Sequence, residues 1–228
     1  MMAITYPVVE KFVSINGEGL YQGYPAVFIR FAGCNLACSY CDTLYANNPD
    51  CASERLEASQ LKDYVIDSGV YHVTLTGGEP LLQPNMEHLL ESICSIEGCT
   101  VEIETNGSVA IAALAAYRKS HNVPFIFTLD YKLPGSLMEQ HNRLDNYAHL
   151  TKGDAVKFVI GDLEDFNRAC SIVNDHDLTG LTNVIFSPVY GKVSSDKLVE
   201  WLLEKGMMQV KVQLQIHKYI WDPQTKGV

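Results

Sequence analysis

The stretch Ala26-Val27-Phe28-Ile29-Arg30-Phe31 runs through Ala32 into Gly33-Cys34-Asn35-Leu36-Ala37-Cys38-Ser39-Tyr40-Cys41-Asp42-Thr43. The first part is apolar, rich in β-branched and aromatic residues and interrupted only by Arg30, so it reads as a strand. The cysteine-bearing part then lies in a loop at that strand's C-terminal end, where βα folds place their chemistry.

Similar runs recur at Tyr71 to Thr76, Val101 to Thr105, Phe125 to Leu129, Ala155 to Ile160, Thr182 to Ser187 and Val210 to Ile216. Between most of them lie segments with helical spacing: Leu56 to Asp67, Met86 to Ser95, Val109 to Ser120, Leu163 to Asp175 and Ser195 to Lys205. Asp162 and Ser194 or Ser195 stand where the last two helices need N-caps. Near-continuous apolar strands alternating with helices predict an α/β protein with a mostly parallel sheet covered by helices. A complete eightfold barrel takes about 250 residues. This chain has 228 and shows six to seven βα-type strands, so a partial, open βα barrel is expected. No linker rich in Pro, Gly or Ser divides residues 1–228, which read as a single domain; Lys132 to Thr151 is polar and reads as a long loop.

With 47% hydrophobic and 19% charged residues, the composition is that of an ordinary globule rather than a disordered or fibrous chain. Lys and Arg total 17 against 27 Asp and Glu, a formal charge of −10 and the wrong sign for gripping a phosphate backbone. Nucleic acid is therefore not an expected partner. Met1 to Glu10 shows no basic-then-apolar leader, and no window approaches the roughly 18 uninterrupted apolar residues of a membrane span. The protein reads as cytoplasmic. Seven cysteines, an odd number, argue against a disulfide framework. Cys34, Cys38 and Cys41 fall within eight residues, whereas Cys51, Cys94, Cys99 and Cys170 are scattered.

Three thiolates in a C-x3-C-x2-C loop can converge on one metal centre, and soft sulfur suits zinc or an iron–sulfur cluster. A structural zinc site normally has four protein ligands. No fourth is evident, since Cys51 follows the polar stretch Asn47-Asn48-Pro49-Asp50 and His72 lies on a strand. A [4Fe-4S] cubane held by three cysteines instead leaves one iron open to an outside ligand. A zinc knuckle completed by Cys51 or a distant histidine remains the competing reading. Three unliganded thiols fit least, because free cysteines usually lie buried in cores. At the end of the next strand, Thr76-Gly77-Gly78-Glu79-Pro80 offers two glycines that let the chain approach a ligand closely, with Glu79 as an acceptor for an ammonium. Taken alone it reads as a turn.

The cysteine spacing, with the aromatic Tyr40 just before the third cysteine, resembles the hallmark of the radical S-adenosylmethionine (SAM) superfamily. Gly77-Gly78-Glu79-Pro80 looks like that superfamily's GGEP motif, which contacts the amino group of SAM. Four more segments extend the likeness over nearly the whole chain: Ser14-Ile15-Asn16-Gly17-Glu18-Gly19, Phe28-Ile29-Arg30, Cys41-Asp42-Thr43 and Gln215-Ile216-His217-Lys218-Tyr219-Ile220-Trp221. Together they resemble the 7-carboxy-7-deazaguanine synthase family of queuosine biosynthesis. The resemblance implies an open barrel of the radical SAM type with a short N-terminal substrate-binding extension. It also implies conversion of 6-carboxy-5,6,7,8-tetrahydropterin to 7-carboxy-7-deazaguanine by radical ring contraction with loss of ammonia. SAM is then regenerated as a cofactor beside a [4Fe-4S] cluster and Mg2+. A homodimer and an external electron donor such as flavodoxin are expected on the same ground.

Residue by residue, the resemblance assigns the cluster to Cys34, Cys38 and Cys41, and magnesium to Thr43, where oxygen suits a hard cation. Without it, Thr43 reads as a cap for the following turn. Arg30 is expected to hold the substrate carboxylate through its bidentate fork. A structural ion pair with a strand neighbour is the alternative for this charge inside an apolar strand. Ile15, Asn16 and Gly17 map onto a substrate-contacting turn, with Glu18 as partner for the pterin's guanidine-like edge; the family often has the longer Gln where Asn16 stands. Thr76, His217 and the terminal carboxylate of Val228 complete the expected substrate contacts, although His217-Lys218-Tyr219 reads equally as an edge strand with snorkelling side chains. SAM is expected at Tyr40, Cys41, Asp42, Gly78 and Glu79, at Asp130, Tyr131 and Lys132, and at Ser187, Pro188, Val189 and Tyr190. Glu104 and Asn106 stand at a strand end within reach of its ribose.

Two readings compete. A glycyl-radical-enzyme activase shares the cysteine spacing but needs neither the Asn16-Gly17-Glu18-Gly19 turn nor magnesium at Thr43. A zinc-stabilised binding module would be colourless, where a cluster protein is brown.

Overall fold

The computed structural model describes residues 3–223 and 225–228. Its strands are β1 (Thr5–Ile15), β2 (Pro25–Phe31), β3 (Glu54–Glu57), β4 (His72–Gly77), β5 (Thr100–Thr105), β6 (Phe125–Tyr131), β7 (Ala155–Ile160), β8 (Asn183–Pro188) and β9 (Lys211–Val212). They form one sheet in the linear, unclosed order β3-β1-β2-β4-β5-β6-β7-β8-β9. From β2 through β9 every pairing is parallel, whereas β1 runs antiparallel to both β2 and β3.

The open, mostly parallel βα architecture is as expected, but the described residues contain nine strands rather than six to seven. The additions are β1 and β3. β1 carries Pro7, Glu10 and Lys11 and is only partly buried, so it lacks the continuous apolar run of an interior strand. β3 is the charged edge Glu54-Arg55-Leu56-Glu57, the kind of composition that protects a sheet edge. The last strand is also shorter than expected, covering Lys211–Val212 rather than Val210 to Ile216.

The helices are α1 (Ala58–Ser68), α2 (Met86–Cys94), α3 (Ala112–His121), α4 (Leu163–Asp175), α5 (Leu178–Leu181), α6 (Ser195–Lys205) and α7 (His217–Ile220). Asp162 caps α4 as expected, its Oδ1 accepting from the Asp165 N–H at 2.9 Å. The segment expected as a long loop contains short 3-10 turns at Pro134–Ser136, Glu139–His141 and Leu144–His149.

Side chains alternate across each strand, and the two faces differ sharply in chemistry. Val27, Ile29 and Phe31, Val73 and Leu75, Phe125 and Phe127, and Val156 and Phe158 are buried in an apolar layer with Leu61, Leu89, Phe166 and Leu198 of the helices. The intervening positions include Arg30, Thr74, Thr76, Glu102, Glu104, Thr128, Asp130 and Lys157. They make the concave face polar.

One buried ion pair fastens α3 to the sheet. Arg118 Nη1 and Nη2 reach the two carboxylate oxygens of Asp154 at 2.6 and 2.9 Å. Asp154 also accepts from the Phe127 N–H (2.8 Å) and from the N–H and hydroxyl of Thr151 (2.7 and 2.8 Å). Its side chain is fully buried. Breaking one member of such a pair leaves a buried charge without its partner, so Asp154→Asn is expected to lower unfolding stability by about 3–5 kcal/mol. Chemical denaturation measures this, and a loss within the small range of a surface change would refute the role given to the pair.

Candidate active site

β2 ends at Phe31 and delivers the cysteine loop to the C-terminal edge of the sheet. The loop's base is strapped down by backbone: Gly33 N–H to Ala46 O (2.8 Å), Cys34 N–H to Asn47 O (2.9 Å), Gly78 N–H to Phe31 O (3.1 Å) and Glu79 N–H to Gly33 O (2.8 Å). Gly77 has φ +141, and a Cβ there would strike the Phe31 backbone, while one on Gly78 would strike the Gly33 carbonyl. The close approach that the glycines permit is thus between β4 and the cysteine loop, although Gly78 also lines the cavity described next.

Cys34, Cys38 and Cys41 open on one cavity of about 760 Å³. Donors point at their sulfurs: Leu36 N–H and Asn106 Nδ2 at Cys34 Sγ (3.4 and 3.7 Å), and Asn47 Nδ2 at Cys41 Sγ (3.5 Å). Such donors support metal-bound thiolates and tune a cluster's potential. Burial raises the Cys34 and Cys38 thiols above their ordinary value. The three thiols feel one another's charge around a shared space, yet among the described residues no three His, Cys, Asp or Glu side chains are arranged to hold a single metal ion. Three soft thiolates, two of them with N–H donors aimed at the sulfur, are a donor set that fits an iron–sulfur cluster. Of the fourth ligands considered for zinc, Cys51 lies outside the cavity lining, whereas one histidine, His217, is part of it.

The same cavity is lined by Ile15 at the end of β1 and by Asn16, Gly17 and Glu18 of the turn that follows. Its position is set from below. Glu102 Oε2 accepts from Asn16 Nδ2 (3.1 Å), Glu102 Oε1 accepts from the Leu20 N–H (3.2 Å) and from Thr128 Oγ1 (2.5 Å), and Thr74 Oγ1 donates to Asn16 Oδ1 (3.2 Å). The Asn16 amide is thereby engaged with the sheet, and the chain around it is held by that engagement. Burial opposes the charge of Glu18, but Lys157 Nζ and Gln215 Nε2, each at 2.9 Å, hold its carboxyl below the usual range. His217 packs its ring against Gly17, where a Cβ would collide with it. Burial keeps that imidazole's pKa low. His217, Lys218 and Tyr219 belong to the short helix α7 and not to an edge strand.

For Arg30 the structure shows the ion pair with a strand neighbour. Its Nε pairs with Glu10 Oε1 on the neighbouring β1 at 2.7 Å, an oxygen that also accepts from Tyr45 OH (2.7 Å), and the side chain still lines the cavity. Thr43 occupies the N-cap position of the turn Leu44–Ala46, but its hydroxyl makes no capping bond; it stands 3.7 Å from Cys41 Sγ, facing the cavity. Asp42 accepts from Lys218 Nζ at 3.1 Å. Thr76 and the C-terminal residue Val228 also line the cavity.

Of the positions expected to meet SAM, Tyr40, Cys41, Asp42, Gly78, Glu104, Asp130, Lys132, Val189 and Tyr190 line the cavity, as does Asn106. Four do not. Glu79 is fully buried, and its carboxylate accepts from the Leu81 and Asn106 N–H groups (2.9 and 2.6 Å) and from Thr105 Oγ1 (2.8 Å). Burial pushes its pKa up to about 7 against those bonds. Glu79 thus ties the end of β4 to the end of β5 and is not turned toward an ammonium. Tyr131 faces the helix-packed layer, its ring 5.3 Å from Phe158 and its hydroxyl donating to Glu139 (2.9 Å). Ser187 is fully buried without a partner for its hydroxyl, and Pro188 lines a smaller neighbouring pocket.

Lys157 is a charged cavity residue that sequence reasoning passed over. It sits in the apolar run Ala155-Val156-Lys157-Phe158-Val159-Ile160, with the same signal as Arg30: a charge at one position of an otherwise apolar strand. Burial alone would discharge it, but Asp130, Glu18 and Glu104 keep its pKa well above the usual value. Burial pushes Glu104 the other way, raising its carboxyl to about 7.

Residues 28–131 match the radical SAM superfamily. The chain is 45% identical to a 7-carboxy-7-deazaguanine synthase of Clostridium acetobutylicum over 225 residues, covering 99% of this chain and 100% of that one. It is 36% identical to a protein of the same name from Leptospira interrogans, covering 96% of each. The fold is shared with the crystal structure of QueE from Escherichia coli, with a TM-score of 0.70 at 19% identity, over 92% of this chain and 93% of that one.

Proposed function

The chain belongs to the 7-carboxy-7-deazaguanine synthase family of radical SAM enzymes, and from that membership we propose that it converts 6-carboxy-5,6,7,8-tetrahydropterin to 7-carboxy-7-deazaguanine with release of ammonia. The observation that carries the reading is a cavity whose lining brings together the three cysteines, Ile15 to Glu18, Arg30 and Thr43.

Cys34, Cys38 and Cys41 would hold the [4Fe-4S] cluster, with SAM against Tyr40, Asp42, Gly78, Asp130, Lys132, Val189 and Tyr190. When bound, cluster and SAM supply reductive cleavage and hydrogen-atom abstraction, and Mg2+ at Thr43 supplies a hard positive charge for anionic groups. The chain's own groups do the rest. Arg30, anchored at Nε by Glu10, offers the remainder of its guanidinium to the substrate carboxylate. Glu18, kept ionised by Lys157, accepts from the N–H edge of the pterin. Ile15, Asn16, Gly17, Thr76, His217 and Val228 complete the pocket. Phe12 and Phe28, stacked at 5.0 Å, give it an apolar wall that excludes water. Glu104, with its carboxyl raised by burial to about 7, can hold a proton near neutrality at the cavity lining. The same reading makes the protein one radical SAM domain, a cytoplasmic homodimer served by an external electron donor such as flavodoxin.

Anaerobic reconstitution with iron, sulfide, SAM, reductant, magnesium and the pterin, followed by mass spectrometry, is expected to yield 7-carboxy-7-deazaguanine. Omitting magnesium is expected to lower the yield about tenfold or more. A cluster that cleaves SAM but forms no 7-carboxy-7-deazaguanine would overturn the assignment.

A further inference from the structure

A chain of charges crosses the cavity floor from the proposed substrate half to the proposed cofactor half. Gln215 Nε2 donates to Glu18 Oε1, and Lys157 Nζ to Glu18 Oε2, both at 2.9 Å. The same ammonium stands 3.5 Å from Asp130 Oδ1 on the adjacent strand, and Asp130 Oδ2 accepts from Lys132 Nζ at 2.8 Å. Lys157 is the member common to both halves. Its side chain is only 8% exposed, so water cannot substitute freely for either carboxylate.

The sharing is uneven. Glu18 has a full hydrogen bond from Lys157, whereas Asp130 Oδ1 is buried and accepts none. An ammonium is a compact point charge with rotatable donors on a flexible stem, and a small swing redistributes it. A ligand that docks an N–H edge on Glu18 supplies that carboxylate with new donors and releases the ammonium toward Asp130. Asp130 is then fixed on both oxygens, by Lys132 and by Lys157, before it has to receive anything itself. Fixing a contact group in advance removes part of the ordering cost of the second ligand.

Resting on the substrate and cofactor reading above, we propose that Lys157 is a positioning residue that couples the two halves of the cavity, so that the pterin and SAM bind with positive cooperativity. Linkage requires the same factor in both directions.

The test is equilibrium binding to the anaerobically reconstituted protein with its cluster oxidised and no reductant present, so that nothing turns over. Saturating 6-carboxytetrahydropterin is expected to tighten SAM about fivefold or more, with the reverse titration giving the same factor. In Lys157→Met the factor is expected to fall to about one, with cluster absorbance and the thermal transition retained. Glu18→Gln removes the charge of the ammonium's first acceptor and leaves only a weaker amide oxygen, and is expected to bind SAM without the pterin as tightly as the unmodified protein does with it. Loss of a merely structural contact would weaken SAM there instead, and Glu18→Gln decides the matter if Lys157→Met does not fold. Both ligands binding the unmodified protein with no mutual effect, or a Lys157→Met variant that keeps the factor, overturns the coupling alone. A pterin that does not bind at all overturns the substrate reading and the coupling with it.

Discussion

Alanine at Cys34, Cys38 or Cys41 is expected to reduce bound iron and sulfide, visible absorbance and SAM cleavage to background, while Cys51→Ala leaves all of them intact. Each of the three thiols opens on the cavity and two carry donors aimed at their sulfur. Among the described residues no other cysteine lines the cavity. Cys51 lies outside the cavity lining, Cys99 and Cys170 are buried, and Cys94 faces Pro124 O on the far side of β5. Iron and sulfide analysis of each variant, with circular dichroism to show that it is folded, settles the outcome. A Cys51→Ala variant that lost the cluster would count against three ligands and for the zinc-like alternative.

The second large effect is expected from a single methyl group. Gly78→Ala would place a Cβ against the Gly33 carbonyl, and backbone cannot step aside as a flexible side chain can. Separating the two segments strains the bonds from Gly78 N–H to Phe31 O and from Glu79 N–H to Gly33 O, which hold the base of the cysteine loop. Overpacking of this kind costs about 1–3 kcal/mol. The functional loss is expected to be larger, about 100-fold in turnover, because a displacement on the order of 1 Å at a reacting centre is enough for that. Gly98→Ala is the control, since Gly98 also has positive φ, +75, but nothing within 4 Å of its added Cβ. It is expected to show backbone strain of about 1–2 kcal/mol with turnover unchanged. Equal turnover losses in the two variants would mean that the collision at Gly33 is irrelevant.

The central strands and five longer helices were legible in sequence because their apolar layer is nearly continuous, and α4 and α6 fall at the expected bounds. β1 was not, because Pro7, Glu10 and Lys11 break the pattern, and with it went the partner of Arg30, which is Glu10 on that strand. The candidate site was legible where a residue type announces its chemistry, as the cysteines do. It failed where runs of neighbours were taken whole. Asp130 and Tyr131 are adjacent, but alternation sends one to the cavity and the other to the helix layer. The same rule applied to Ala155-Val156-Lys157 would have found Lys157. The role of Glu79 could not be read locally, because its donors come from β5 and the Asn106 turn, contacts that exist only once the sheet has formed.

The two faces of the sheet answer to different pressures. Val73 and Leu75 hold the fold by packing against helices, while Thr74 and Thr76, interleaved with them on the same strand, face inward. A change at Thr76 or Thr128 alters what the cavity can recognise and leaves the apolar layer untouched. Substrate preference and architecture are therefore written at alternate positions of the same few segments, and a lineage built on this scaffold can explore new ligands without first having to rebuild its foundation.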